Sequence, residues 1–205
     1  MRSLILIVAL LTGLSCQPDR ARAAADGRHF VSVAFHDVVD RQEDLESDAI
    51  TSDRLVRFFD WLKGDGWTSI TLDDVDAARR GVRRLPDRAI LITFDDGYRS
   101  VYTRVFPLLL AYRFHAVIGL VGSWMEAPPG GTVLYGTTKV PRDEFLHWDE
   151  VREMAATGLV EVASHSYAMH DGVLANPQGN LIAAISRTSS PVSYTHLTLP
   201  TILRV

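Results

Sequence analysis

An α/β fold built on a parallel sheet is what this sequence predicts, and three observations carry the prediction. Short apolar segments alternate along the chain with amphipathic ones. The short segments are nearly continuous in apolar residues, as strands covered on both faces are. The amphipathic segments are bounded by helix start and stop residues. With 205 residues, 47% hydrophobic and 22% charged, the chain suits one globular domain with a real core.

In order, residues 30–35 read as a first strand ending at His36-Asp37, and an acidic loop follows over 40–48. Thr51 or Ser52 can cap a helix with Leu55, Phe58, Phe59 and Leu62 on one face and Gly64 as its stop. Residues 67–71 form a second strand, and 73–80 a short helix ended by Gly81. Ala89–Phe94 is too short for a helix and reads as a buried central strand. The helix over 100–112 contains Pro107, which kinks it or starts its second half. A fourth strand spans 115–121, and 122–143, with Pro128-Pro129-Gly130-Gly131, reads as a long surface loop. Trp148–Ala156 is helical, Gly158 stops it, and a strand follows over 160–163.

Both ends depart from this rhythm. Met1-Arg2-Ser3 and the apolar run 4–14 have the form of an export signal, too short to span a bilayer. Two endings fit it: a lipobox-like Leu14-Ser15-Cys16 that would make Cys16 the lipidated first residue, or cleavage within Ala21-Arg22-Ala23-Ala24-Ala25. Gly13 departs from the lipobox pattern, and the alternative for Cys16 is loss with the signal. Residues 188–205 break the strand–helix pattern and read as a non-native tail; 1–25 is taken as signal and 29–187 as the domain between them. The net charge of -4, without a basic block, argues against nucleic acid. A single cysteine excludes an internal disulfide framework and a Cys-based zinc cluster.

Two strand ends carry chemistry. Phe94-Asp95-Asp96-Gly97 ends the central strand in adjacent carboxylates, where parallel α/β folds collect their reactive groups. Ser164-His165-Ser166-Tyr167-Ala168-Met169-His170 ends a later strand in two histidines. One Asp and two His suffice for an open metal site. Five residues apart, the histidines would diverge by about 140° on a helix, so they converge only if the backbone turns between them. Each motif alone is weak, because Asp-Gly is also a common turn pair.

Together, Thr93-Phe94-Asp95-Asp96-Gly97 and Ser164-His165-Ser166…His170 resemble the first two motifs of the polysaccharide deacetylase (NodB-homology) family, carbohydrate esterase family 4. Many members space the histidines one residue closer. The wider spacing, with Tyr102-Thr103-Arg104-Val105-Phe106-Pro107, Val121-Gly122-Ser123-Trp124 and Ala175-Asn176-Pro177-Gln178-Gly179-Asn180, is similar to the periplasmic branch acting on poly-β-1,6-N-acetyl-D-glucosamine. The resemblance implies a distorted (β/α)7 barrel, here truncated after about five βα units. It implies N-deacetylation of an N-acetylglucosamine exopolysaccharide in biofilm export, with outer-membrane export machinery as a partner and membrane contact only through a lipid anchor.

Carried over residue by residue, it makes Asp95 the general base, His36 the acid, and Asp96, His165 and His170 the metal ligands. Zinc suits these ligands, and so do cobalt, nickel or iron. The polymer is open among chitin, xylan and peptidoglycan as well. A catalytically inactive glycan-binding module is the alternative, and a metal-free glycosidase using both Asp residues leaves the histidines unexplained. For other residues two roles stand side by side. Asp37 can orient a ligand or be a loop acid; Trp124, Tyr167 and Trp148 can stack on sugars or pack. Arg142 can position Asp95 or be a solvated loop residue. His29 and His147 receive no role, nor does His196 in the tail.

Overall fold

The computed structural model describes residues 27, 29–42, 48–136, 138–170, 172–174 and 181–183. Residues 1–25, read above as a signal and containing Cys16, and residues 188–205 with His196 lie outside the described residues. No helix among the described residues is long and apolar enough to cross a membrane.

In chain order the elements are β1 (Val31–Phe35), β2 (Val38–Val39), β3 (Ile50–Thr51), α1 (Ser52–Gly64), β4 (Thr68–Ser69), α2 (Leu72–Arg79) and β5 (Ala89–Phe94). A π-helical turn, Val101–Val105, runs into α3 (Phe106–Tyr112), then β6 (Ala116–Val121), α4 (Gly122–Met125), β7 (Thr132–Tyr135) and β8 (Thr138–Pro141). A 3-10 turn, Arg142–Glu144, precedes α5 (Trp148–Ala156) and β9 (Val160–Ser166), with β10 (Gly172–Leu174) and β11 (Leu181–Ala183) last.

The main sheet has the order β1-β5-β6-β9, with β4 pairing the first residues of β5, and every pairing in it is parallel. This is the predicted class; among the described residues the strands form an open sheet, not a closed ring. The continuous apolar strands have the expected cause. Ile90, Ile92 and Phe94 of β5, with Ile118 of β6, meet Leu55, Phe59 and Leu62 of α1 and Leu109 of α3. The opposite side chains, Leu91 and Val117, pack with Ile70, Leu85 and Ala163 in a second cluster. Both faces are covered, and each such side chain contributes roughly 1.5–3 kcal/mol on burial.

Local chemistry sets the boundaries. Of the two candidate caps for α1, Thr51 is the one used: its Oγ1 accepts from Arg54 N at 3.3 Å, while Ser52 donates to Val39 O and Asp40 Oδ1. Thr71 and Asp74 form a reciprocal capping box, which starts α2 one residue before the expected Asp73. Pro107 lies in the first turn of α3, where its missing N–H costs nothing, so it starts the second half of that segment.

One expectation is corrected. Residues 122–143 are not an unstructured loop: they contain α4, the antiparallel β7–β8 hairpin and the 3-10 turn. Arg142 is neither solvated nor aimed at Asp95. It is 3% exposed, and its guanidinium donates to the carbonyls of Phe145 (3.1 Å), Met125 (3.2 Å) and Leu146 (2.9 Å). These bonds tie the hairpin's exit to α4. Arg142→Met should leave three buried carbonyls unsatisfied and cost about 2–3 kcal/mol, read as a lower urea midpoint with an unchanged slope. An unchanged midpoint would assign the fastening elsewhere.

Candidate metal centre

The centre begins where β5 stops. Asp95 N donates to Phe35 O at 2.8 Å, which continues the β1 ladder by one residue. Asp96 then turns left-handed, with φ 69°, followed by Gly97 at φ 76°. Asp tolerates this region better than most residues. The turn is clamped from outside: Leu146 N donates to Gly97 O at 2.8 Å and Arg99 N to Glu144 O at 2.7 Å. Asp96 is 2% exposed and Asp95 is half-buried.

The histidines come from β9. In the β6–β9 ladder Leu120 pairs with Ser164 and Val121 with Ser166, so His165 is the extra residue of a bulge. Bulges of this kind re-aim one side chain beside a site. Beyond Ser166 the chain leaves the ladder, with Ser123 N donating to Tyr167 O at 2.7 Å, and returns His170 toward the centre. This is the turn that the five-residue spacing demanded. Gly119 of β6 makes room: a Cβ there would lie 3.3 Å from His165 Cβ and 3.4 Å from Asp95 Oδ1.

The three expected ligands converge. Asp96 Oδ1 lies 2.9 Å from His170 Nε2 and 3.5 Å from His165 Nε2. The ligand atoms of all three residues fall within 4.8 Å of one another. Although Oδ1 is buried, no hydrogen bond of proper angle satisfies it. A buried carboxylate oxygen facing two imidazole nitrogens without a satisfying bond fits a cation better than it fits a proton. Burial pushes the Asp96 carboxyl up, but the contact with His170 and positive charge on His170, His165 and His36 outweigh it and hold the group below the usual carboxylate range.

His36 is also brought in, since its ring nitrogen lies within 4.8 Å of carboxylate oxygens of Asp48 and Asp96. Sequence reasoning missed two neighbours. Tyr135, on β7, places its hydroxyl 3.1 Å from Asp96 Oδ2 and 2.8 Å from Asp48 Oδ2. Nothing local in the sequence marks either residue; only the hairpin and the β2–β3 pairing bring them here. The Tyr135 phenol is pushed far up, by burial first and then by the Asp96 charge, so it stays a neutral hydroxyl.

The remaining candidates separate clearly. Trp124 is 6% exposed and packs on Tyr135, Phe145 and His170. Asp37 Oδ1 accepts from Ser100 Oγ at 2.6 Å and Val38 N at 2.8 Å, fastening the end of β1 to the start of the π-helical turn. Tyr167 is 60% exposed and bonds Glu126, and Trp148 stands on the surface at the start of α5. His147, assigned nothing above, donates its backbone N–H to Glu150 Oε2 at 2.9 Å.

The chain is similar to several known proteins. Over 153 residues, 75% of the chain, it is 40% identical to the poly-β-1,6-N-acetyl-D-glucosamine N-deacetylase of Escherichia coli K12, and it spans 23% of that protein's length. A solved de-N-acetylase from Aggregatibacter actinomycetemcomitans superposes with a TM-score of 0.71 at 36% identity, over 75% of this chain and 61% of that one. The BpsB deacetylase domain of Bordetella bronchiseptica gives a TM-score of 0.65 at 42% identity, over 77% of this chain and 62% of that one. Residues 83–204 match the polysaccharide deacetylase family, a stretch that contains Asp95, Asp96, His165 and His170. With that match over more than half its length, the chain belongs to the polysaccharide deacetylase family.

Proposed function

We propose that the chain is the catalytic part of a divalent-metal-dependent N-deacetylase acting on poly-β-1,6-N-acetyl-D-glucosamine. The observation that carries this reading is the convergence of Asp96, His165 and His170 beside Asp95 at the carboxyl end of β5. The kinship with deacetylases of that polymer supports the substrate.

Asp96, His165 and His170 would hold the cation, and zinc, cobalt, nickel or iron suits one carboxylate and two imidazoles. When bound, such an ion supplies Lewis acidity toward an acetamido oxygen and makes water easier to deprotonate. Asp95 takes the proton from the attacking water as its oxygen joins the acyl carbon. His36 gives a proton to the sugar nitrogen as the C–N bond breaks, releasing acetate and the free amine. Asp96 stays ionised throughout, because its neighbours hold its carboxyl low.

In the same proposal residues 1–25 direct export to the periplasm or outer membrane, with lipid on Cys16 as the only membrane contact. Residues 29–187 are the catalytic segment, and outer-membrane export machinery takes the product onward. Exposed Tyr167 and Trp148 are candidates to stack on sugar rings.

Acetate release from β-1,6-linked N-acetylglucosamine oligomers tests the reading, with chitin oligomers, acetylated xylan and peptidoglycan fragments as comparisons. Cation-dependent release, fastest on the β-1,6 oligomers, is the expected result. Cation binding with polymer retention and no release would instead make this a glycan-binding module.

A further inference from the structure

The β7–β8 hairpin reaches the candidate ligands through Tyr135. Tyr135 forms the last pair of the hairpin, with Thr138, and is followed by Gly136 at φ 59°. From that tip it touches two of the three candidate ligands. Its ring lies 5.0 Å from that of His170, and Trp124 lies 4.7 Å from the same imidazole. Its hydroxyl meets Asp96 on Oδ2, the oxygen that does not face the histidines. A carboxylate held at one oxygen cannot rotate freely, so the contact aims Oδ1 at His165 and His170. The hydroxyl has one proton and two carboxylate acceptors, Asp96 at 3.1 Å and Asp48 at 2.8 Å. Asp48 competes for that proton.

We propose that Tyr135 is a positioning residue for the cation site: its hydroxyl sets the rotation of Asp96, its ring steadies His170, and Asp48 tunes the first of these by sharing the proton. The proposal rests on the assignment of Asp96, His165 and His170 as ligands. It gives the hairpin a role in cation affinity as well as in covering the site. Ligand-orienting partners of this kind typically govern affinity by about 10–100-fold.

The test uses cobalt(II) as probe on the whole chain, comparing wild type, Tyr135→Phe and Asp48→Asn by competition titration and by the visible spectrum of the bound ion. Tyr135→Phe keeps the ring and should bind cobalt about 10–100-fold more weakly, with an altered spectrum and unchanged unfolding of the cation-free protein. Asp48→Asn, which removes the competing carboxylate, should bind cobalt more tightly than wild type, and wild-type affinity would overturn the tuning role of Asp48. Wild-type affinity and spectrum in Tyr135→Phe would overturn the proposal while leaving the ligand assignment intact. An equal loss in Asp48→Asn would overturn it too, by pointing to loop packing or to Asp48 as a ligand. Absence of cobalt binding by the wild type would overturn the ligand assignment and the proposal together. Should Tyr135→Phe fail to fold, the Asp48→Asn titration still decides between tuning and loss.

Discussion

Asp96→Asn should abolish tight cation binding, lowering affinity by more than about 100-fold, since losing a ligand exceeds the loss of a ligand's partner. Asn is the informative replacement. It tolerates the left-handed backbone that Asp96 adopts at φ 69°, so the turn after β5 survives. It also keeps an oxygen or nitrogen opposite the Tyr135 hydroxyl. What it removes is the charge that faces His165 and His170 at 3.5 and 2.9 Å. Competition against a chromophoric chelator reads the affinity, and acetate release should vanish in parallel. Stoichiometric tight binding by this variant would remove Asp96 from the ligand set and leave the buried, unsatisfied Oδ1 in need of another cause.

Asp95→Asn should separate chemistry from binding. The residue precedes Asp96 on the same strand end, and the proposed mechanism gives the two carboxylates different tasks. Cation affinity should remain near wild type, whereas acetate release should fall by about 10²–10⁴-fold, the usual contribution of a positioned proton acceptor. Paired measurements on one preparation make the contrast decisive. A proportional loss of cation would show that Asp95 is itself a ligand, and unimpaired release would move the base elsewhere, with His36 and Asp48 next to be tested.

How much of this was legible in the sequence depends on how local each cause is. Helix α1 was legible because Thr51, Gly64 and the Leu55–Phe59–Leu62 face act within one segment. The strands β5 and β6 were legible because burial on both faces forces continuous apolar runs. Asp95 and Asp96 were legible because strand end and turn are contiguous. The histidines needed more: a bulge at His165 and a turn before His170 depend on the neighbouring strand β6 and on α4, and no spacing rule contains them. The hairpin at 132–141 was hidden by Pro128-Pro129-Gly130-Gly131, which reads as loop whether or not strands follow. Tyr135 and Asp48 were illegible because each acts on partners distant in the chain, and the burial of Arg142 was illegible because α4, which supplies the Met125 carbonyl, lies in a segment that reads as loop.

The tilted contact of Trp124 with His170 has an optical consequence. Trp124 is buried, so its indole emits at the blue end of the tryptophan range, while Trp61 and Trp148, at 52% and 44% exposure, emit toward the red. An imidazolium in van der Waals contact quenches indole fluorescence, and an imidazole that has given up its proton does not. With 4.7 Å between the two ring centres, the blue emission follows the state of His170 directly. In the proposed site, cation capture at His170 should therefore change the light from a chromophore the chain already carries, and a stopped-flow trace can time it without a label.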